Sequence, residues 1–136
     1  MKVSSVIYAE EVLQENAGTT VRNHIINPLS VILVPFTPAT FTFVITINLI
    51  DLTDNPKEIH VKFKKKGDEK SVVEMGPINV PVGISIPHIP TEFAGLNFNL
   101  NLRNVVLPSE GEYETEIYFD NVLTGSYPIN VVKSIS

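Results

Sequence analysis

Apolar and polar residues alternate with a period of two along most of this chain, the spacing that puts successive side chains on opposite faces of an extended strand. In "FTFVITINL" the residues Phe41, Phe43, Ile45, Ile47 and Leu49 share one side, and Thr42, Val44, Thr46 and Asn48 share the other. The β-branched content of this stretch favours a core strand. "IHVKFKKK" repeats the alternation, with Ile59, Val61 and Phe63 inward and His60, Lys62, Lys64 and Lys66 outward, and "KKGDEK" supplies turn residues, Lys65 and Lys70 among them, around Gly67-Asp68. "NFNLNLRNVV" sets Phe98, Leu100 and Leu102 against Asn97, Asn99, Asn101 and Arg103. In "GEYETEIYF" the inward residues are Tyr113, Thr115, Ile117 and Phe119, and the outward ones are Glu112, Glu114, Glu116 and Tyr118. Asp120-Asn121 then forms a turn, and "SYPINVV" returns as a last strand with Tyr127, Ile129 and Val131 inward.

Two regions are less regular. "INVPVGISIP" keeps Ile78, Val80, Val82, Ile84 and Ile86 on one side, but Pro81, Gly83 and Pro87 weaken any ladder, which predicts an edge strand or an extended crossover. The opening region, "VSSVIYAEEVLQ" and then "VRNHIINPLSVILV", reads as two strands and a loop, with a helical turn over "AEEVLQEN" as the alternative that propensity allows. No stretch of ten residues carries a capped 3.6-residue period. The expected fold is therefore all-β, a single domain over residues 1–136. Its architecture is expected to be a two-sheet, immunoglobulin-like antiparallel sandwich of about seven to nine strands, with a closed barrel as the alternative.

Composition narrows the chemistry. The 136 residues include no cysteine, which removes disulfides, thiolate metal sites and cysteine nucleophiles, and points to a cytoplasmic setting. The amino terminus reaches Glu10 and Glu11 before any long apolar run, so no export signal is expected there. No apolar run approaches the length of a membrane span. A formal charge of −5 argues against binding of the whole chain to nucleic acid or anionic lipid. The charge is segregated, however: six of the ten basic residues lie between Lys57 and Lys70, and five of the fifteen acids lie between Glu110 and Asp120.

Each charged stretch has a functional reading and a plainer one. Glu112, Glu114 and Glu116 lie about 7 Å apart along one strand face, near enough to flank a hard cation. The plainer reading, preferred here, is a solvated face whose charge discourages edge pairing. Lys62, Lys64, Lys65 and Lys66 form a positive patch for nucleic acid, an anionic partner or the acidic strand of a second copy; the plainer reading is an edge strand guarded by lysine. The outward Asn97, Asn99, Asn101 and Arg103 are a mostly neutral face suited to protein contact. Val44 and Ile50, apolar on an outer face, point to a cover over that sheet, either a loop or another subunit. His24, His60 and His88 have no metal-binding spacing, no serine stands in a nucleophile motif, and the seven glycines are scattered singly.

Taken in order, "IYAEEVLQENAGTT", "VPFTPATFTFVITINLIDL" and "NFNLNLRNVVLPSEGEYETEIYFDNVLTGSYPINV" resemble a family of small bacterial and phage-borne domains of unknown function with immunoglobulin-like sandwiches. The ending is its most recognisable piece, although Asp120-Asn121 stands where Asp-Gly is commoner and so leaves the turn type open. Gly111 and Tyr113 also resemble the tyrosine corner of Greek-key sandwiches, in which the phenol caps a loop backbone group. The family has no established activity, so the resemblance implies no catalytic residue and no cofactor. The function expected from the sequence is a non-enzymatic module that binds a protein partner or itself through a sheet face or edge. A structural or accessory component of a phage or mobile element is the alternative, and a metal-dependent hydrolase a remote third.

Overall fold

The computed structural model describes residues 1–18 and 20–135. Among these residues there are nine strands: β1 (Lys2–Ala17), β2 (Thr20–Pro28), β3 (Val31–Val34), β4 (Ala39–Ile50), β5 (Glu58–Lys65), β6 (Val73–Asn79), β7 (Gly95–Leu107), β8 (Gly111–Phe119) and β9 (Val122–Lys133). They form two sheets, β2-β1-β4-β7 and β3-β9-β8-β5-β6. Every pairing is antiparallel except β3 on β9. The neighbours β1-β4-β7 and β9-β8-β5 reproduce the A-B-E and G-F-C orders of immunoglobulin sandwiches. Among the described residues no strand occupies the position beyond β7 that the fourth strand, D, takes in those domains.

The core forms where the inward sets of the two sheets meet. Phe43, Ile45, Ile47 and Leu49 of β4 are buried against Ile59, Val61 and Phe63 of β5 and Tyr113 and Ile117 of β8. An aromatic column crosses the interface: Phe43 meets Phe63 edge-on with centroids 5.4 Å apart, and Phe63 stacks on Tyr113 at 5.6 Å. Tyr8 of β1 packs on both phenylalanines and inserts its phenol between the sheets. There it accepts a hydrogen bond from the Thr115 hydroxyl and donates one to the Tyr127 carbonyl at 2.7 Å. One side chain of the first sheet is thereby bonded to two strands of the second.

The terminal hairpin and its corner follow the expected pattern. The Tyr113 hydroxyl donates to the Ser109 carbonyl at 2.7 Å, the backbone cap of a tyrosine corner. Asp120 and Asn121 both have positive φ, 48° and 67°, the pair of left-handed residues that a tight type I′ turn needs and that Asp and Asn tolerate. The Asp120 carboxylate also accepts from the backbone N–H groups of Lys57 and Glu58, pinning the β4–β5 connection to this turn.

Two regions differ from the sequence expectation. The first thirty-odd residues supply three strands, because Leu29 and Ser30 break the second one and let β3 cross to the other sheet. The segment predicted as an edge strand or crossover divides between the two: β6 is an edge strand that stops at Asn79, and residues 80–94 run on as an irregular connection in which Val82 is fully exposed. The prolines and Gly83 leave that connection without a ladder.

Replacing Tyr8 by Phe leaves the Thr115 hydroxyl and Tyr127 carbonyl buried with one partner fewer, and is expected to cost about 1–3 kcal/mol in urea unfolding. Burial holds the Tyr8 phenol up at about 12 against an ordinary 10.0. Its folded state therefore keeps a proton that the unfolded chain gives up. The resulting stability is whole below pH 10 and is lost as pH climbs toward 12. Stability of the Tyr8→Phe variant is expected to fall less steeply over that window; an unchanged slope would remove Tyr8 as the source.

Candidate functional site

The lysines and glutamates that are separate in sequence become neighbours across strands. In the β5–β8 register Lys62 faces Glu116 and Lys64 faces Glu114, while Lys62 also faces Glu74 of β6. Lys64 pairs diagonally with Glu116 at 3.7 Å, both side chains being largely covered, and Glu116 accepts a second bond from the Tyr118 hydroxyl at 3.0 Å. Lys62 lies over the Tyr118 ring, 5.0 Å from its centroid. Lys66 pairs with Glu112 at 2.9 Å, and that hydrogen bond raises the pKa of its ammonium. Lys65 points to the opposite side and donates to the Ser109 hydroxyl at 2.7 Å, beside the tyrosine corner.

This corrects both preferred readings of the charged stretches. β5 lies between β6 and β8, and β8 between β5 and β9, so neither is an edge strand and neither charge row guards one. The lysines find their acidic strand in their own chain. Glu116, read as solvated, is buried under Lys64 and Tyr118. His60, expected to face water, is half-buried beside Gly76, and its Nδ1 has no partner.

The amide face is also engaged within the chain. Thr46 donates to Asn99 at 2.9 Å, Asn97 donates to Asn48, and Asn48 donates to Ser5 at 2.8 Å, a ladder across β7, β4 and β1. Asn23 of β2 donates to Asn97 at 2.7 Å. In the plane of the sheet, β2 and β7 are separated by β1 and β4, about 14 Å at the usual strand spacing. The bond forms because the β1–β2 hairpin leaves the plane after Ala9, the last residue of β1 paired with β4, and folds over the outer face. That hairpin is the cover signalled by Val44, which is 5% exposed, as Thr46 is 1% exposed beneath it; Ile50 lies beyond it and is exposed. A cleft of about 680 Å³ remains where the hairpin departs, lined by Glu10, Val12, Val44, Asn101 and Arg103 among others.

What stays open is the side of the sandwich where β7 and β6 end their sheets. A slot of about 380 Å³ lies between them, lined by Ile59, Ile78, Val80, Leu96, Phe98 and Leu100. Leu96, Phe98 and Leu100 are only half-buried, whereas their partners on β4, Leu49, Ile47 and Ile45, are fully covered. The four outermost strands of the two sheets are not alike. β3 has four residues and runs into Pro35, β6 carries Gly76-Pro77 and Glu74, and β2 carries Arg22 and Pro28. Each has a feature that blunts pairing. β7 has thirteen residues with neither lysine nor proline, and it runs regularly against β4 from Gly95 to Leu102, where a bulge interrupts the register. Asn23 and the slot were not singled out from sequence, because both depend on which strands lie at edges.

Histidine chemistry has no focus. His24 sits on the hairpin and pairs with Glu15 at 2.7 Å, His60 lies on β5 and His88 in the connection before β7. Among the described residues no three of His, Asp and Glu are grouped to hold a metal ion, and no helix is long and apolar enough to cross a membrane.

The largely covered pair and the exposed pair are expected to differ. A double-mutant cycle should give a coupling of about 1 kcal/mol for Lys64 with Glu116, and a clearly smaller one for Lys66 with Glu112. Molar salt should abolish the second and spare most of the first; equal, salt-labile couplings would contradict the burial of Glu116.

No curated protein and no solved structure gives a match to the chain. A family model described as a family of unknown function (DUF6941) matches residues 5–132. With all but the two ends of the sequence covered, the chain belongs to the DUF6941 family.

Proposed function

We propose that this domain is a non-enzymatic protein-interaction module that binds an extended strand along the free edge of β7. The observation that carries the reading is the contrast among edges: β7 alone of the four is long, uncharged over residues 95–102 and free of proline. An unpaired strand edge presents N–H and C=O groups ready for another strand, and natural sheets ordinarily blunt such edges. Strand addition takes its affinity from those main-chain groups and its selectivity from alternate side-chain pockets. The slot beside Leu96, Phe98 and Leu100 offers such pockets for the inward side chains of an added strand.

The other surfaces support this choice by elimination. Two ion pairs, Lys64–Glu116 and Lys66–Glu112, tie the lysine and glutamate rows together, and the amide face is bridged by Asn23. The imidazoles are dispersed, His24 on the hairpin, His60 on β5 and His88 in the connection before β7, which favours binding over catalysis. An intracellular setting belongs to the same reading, since the chain uses no cysteine.

A peptide alternating valine and threonine, unrelated to this chain, is the direct probe. Titrated into isotopically labelled protein, it is expected to shift and protect the amides of residues 95–102 and to perturb Ile78 and Val80. N-methylating every second residue of the peptide should abolish binding in one phase and spare it in the other. Perturbation centred on the lysine row, or none at millimolar peptide, would overturn strand addition.

A further inference from the structure

Resting on the strand-addition reading, we propose that the strand paired with β7 is β7 of a second copy of this chain, running antiparallel about a two-fold axis at Asn99. Residues 96–102 read Leu-Asn-Phe-Asn-Leu-Asn-Leu. In residue class the segment is the same in both directions about Asn99. Two-fold pairing places residue 99 + k opposite residue 99 − k of the partner, as an isologous contact demands. Asn97 then meets the partner's Asn101, Asn99 meets the partner's Asn99, and Asn101 meets the partner's Asn97. On the inward face Leu96 meets the partner's Leu102, and Phe98 meets the partner's Leu100.

The chemistry suits a self-contact. An amide side chain carries both a donor and an acceptor, so an Asn–Asn pair is self-complementary where a Lys–Lys or Glu–Glu pair repels. No charged residue falls within the paired stretch, and Arg103, the first one beyond it, comes opposite Gly95, which has no side chain to clash with. Other centres are poorer: an axis at Asn101 sets Asn99 against Arg103, and one at Asn97 sets Asn99 against Gly95. The β4–β7 register is regular from Gly95 to Leu102 and interrupted just beyond, so the pairing uses the regular part of the edge. It joins two four-stranded sheets into one of eight and extends the apolar slot across the axis, covering Leu96, Phe98 and Leu100. Those three residues are among the hydrophobics against the core that the single chain leaves half-buried.

A seven-residue edge is small beside a standard interface of about 800 Å² per partner, so the dimer is concentration-dependent, with dissociation in the range of about 1–100 µM. Sedimentation from about 10 µM to 1 mM is expected to show monomer passing to dimer. The absence of cysteine allows a clean register test, since an introduced thiol is the only one in the chain. Under glutathione disulfide, N99C should form a homodimer at least tenfold faster than N97C or N101C alone, while mixed N97C and N101C should cross-link to each other. Asn99→Lys and Asn99→Asp should each raise the dissociation constant more than tenfold, and an equimolar mixture should restore a heterodimer. Asn99 also bonds Thr46, so circular dichroism checks that both variants remain folded, and the cysteine series reports the register independently. A monomer at 1 mM, or a dimer indifferent to position 99, would overturn self-pairing. If the valine-threonine peptide still binds, strand addition stands with a different partner; if it does not, both readings fall together.

Discussion

The contact on which the rest of the structure depends is the insertion of Tyr8 between the two sheets. Its ring packs on Phe43 and Phe63, and its hydroxyl joins Thr115 of β8 to the Tyr127 carbonyl of β9. A buried hydroxyl without partners is costly, so this three-way arrangement fixes the lateral position of the first sheet over the second as well as their separation. Tyr8 stands one residue before Ala9, where β1 leaves β4, so the same anchored segment launches the hairpin over the outer face. The buried faces and the covered outer face follow from that placement.

Charge in this molecule is settled locally. The lysine and glutamate rows sit on adjacent central strands, and their attraction is used in aligning β5 with β8 more than in reaching outward. Partial burial strengthens the Lys64–Glu116 contact relative to the solvated Lys66–Glu112 pair, because water screens the second far more. Under the proposed strand addition the recognising surface is accordingly the neutral edge of β7. That shift from charged face to neutral edge changes the physics of any partner: main-chain hydrogen bonds and apolar side chains are weakly sensitive to salt, whereas a lysine–glutamate interface is strongly so.

The missing strand beside β7 explains several observations together. Immunoglobulin-type sheets place a further strand at that edge, and here the connection of residues 80–94 passes without forming one. Leu96, Phe98 and Leu100 therefore remain half-covered, a slot opens toward β6, and β7 ends its sheet with an unblunted edge. Pro81, Gly83, Pro87 and Pro90 keep that connection from supplying the strand itself.

Much of the fold was legible in the alternation of side chains. The inward sets of β4, β5, β7 and β8, the corner at Tyr113 and the turn at Asp120-Asn121 follow from local rules, because a two-residue period and a turn residue's φ preference act over a few positions. The sequence by itself therefore determined which side of most strands is dry and where the chain reverses. It did not determine the neighbours. Only the tertiary structure decided that the lysines face the glutamates, that Asn23 crosses two strands to reach Asn97, and that β5 is central while β7 is an edge. The physical reason is that strand order is set by contacts between residues distant in the chain, and the alternation of a strand is the same whether its backbone edge is paired or free.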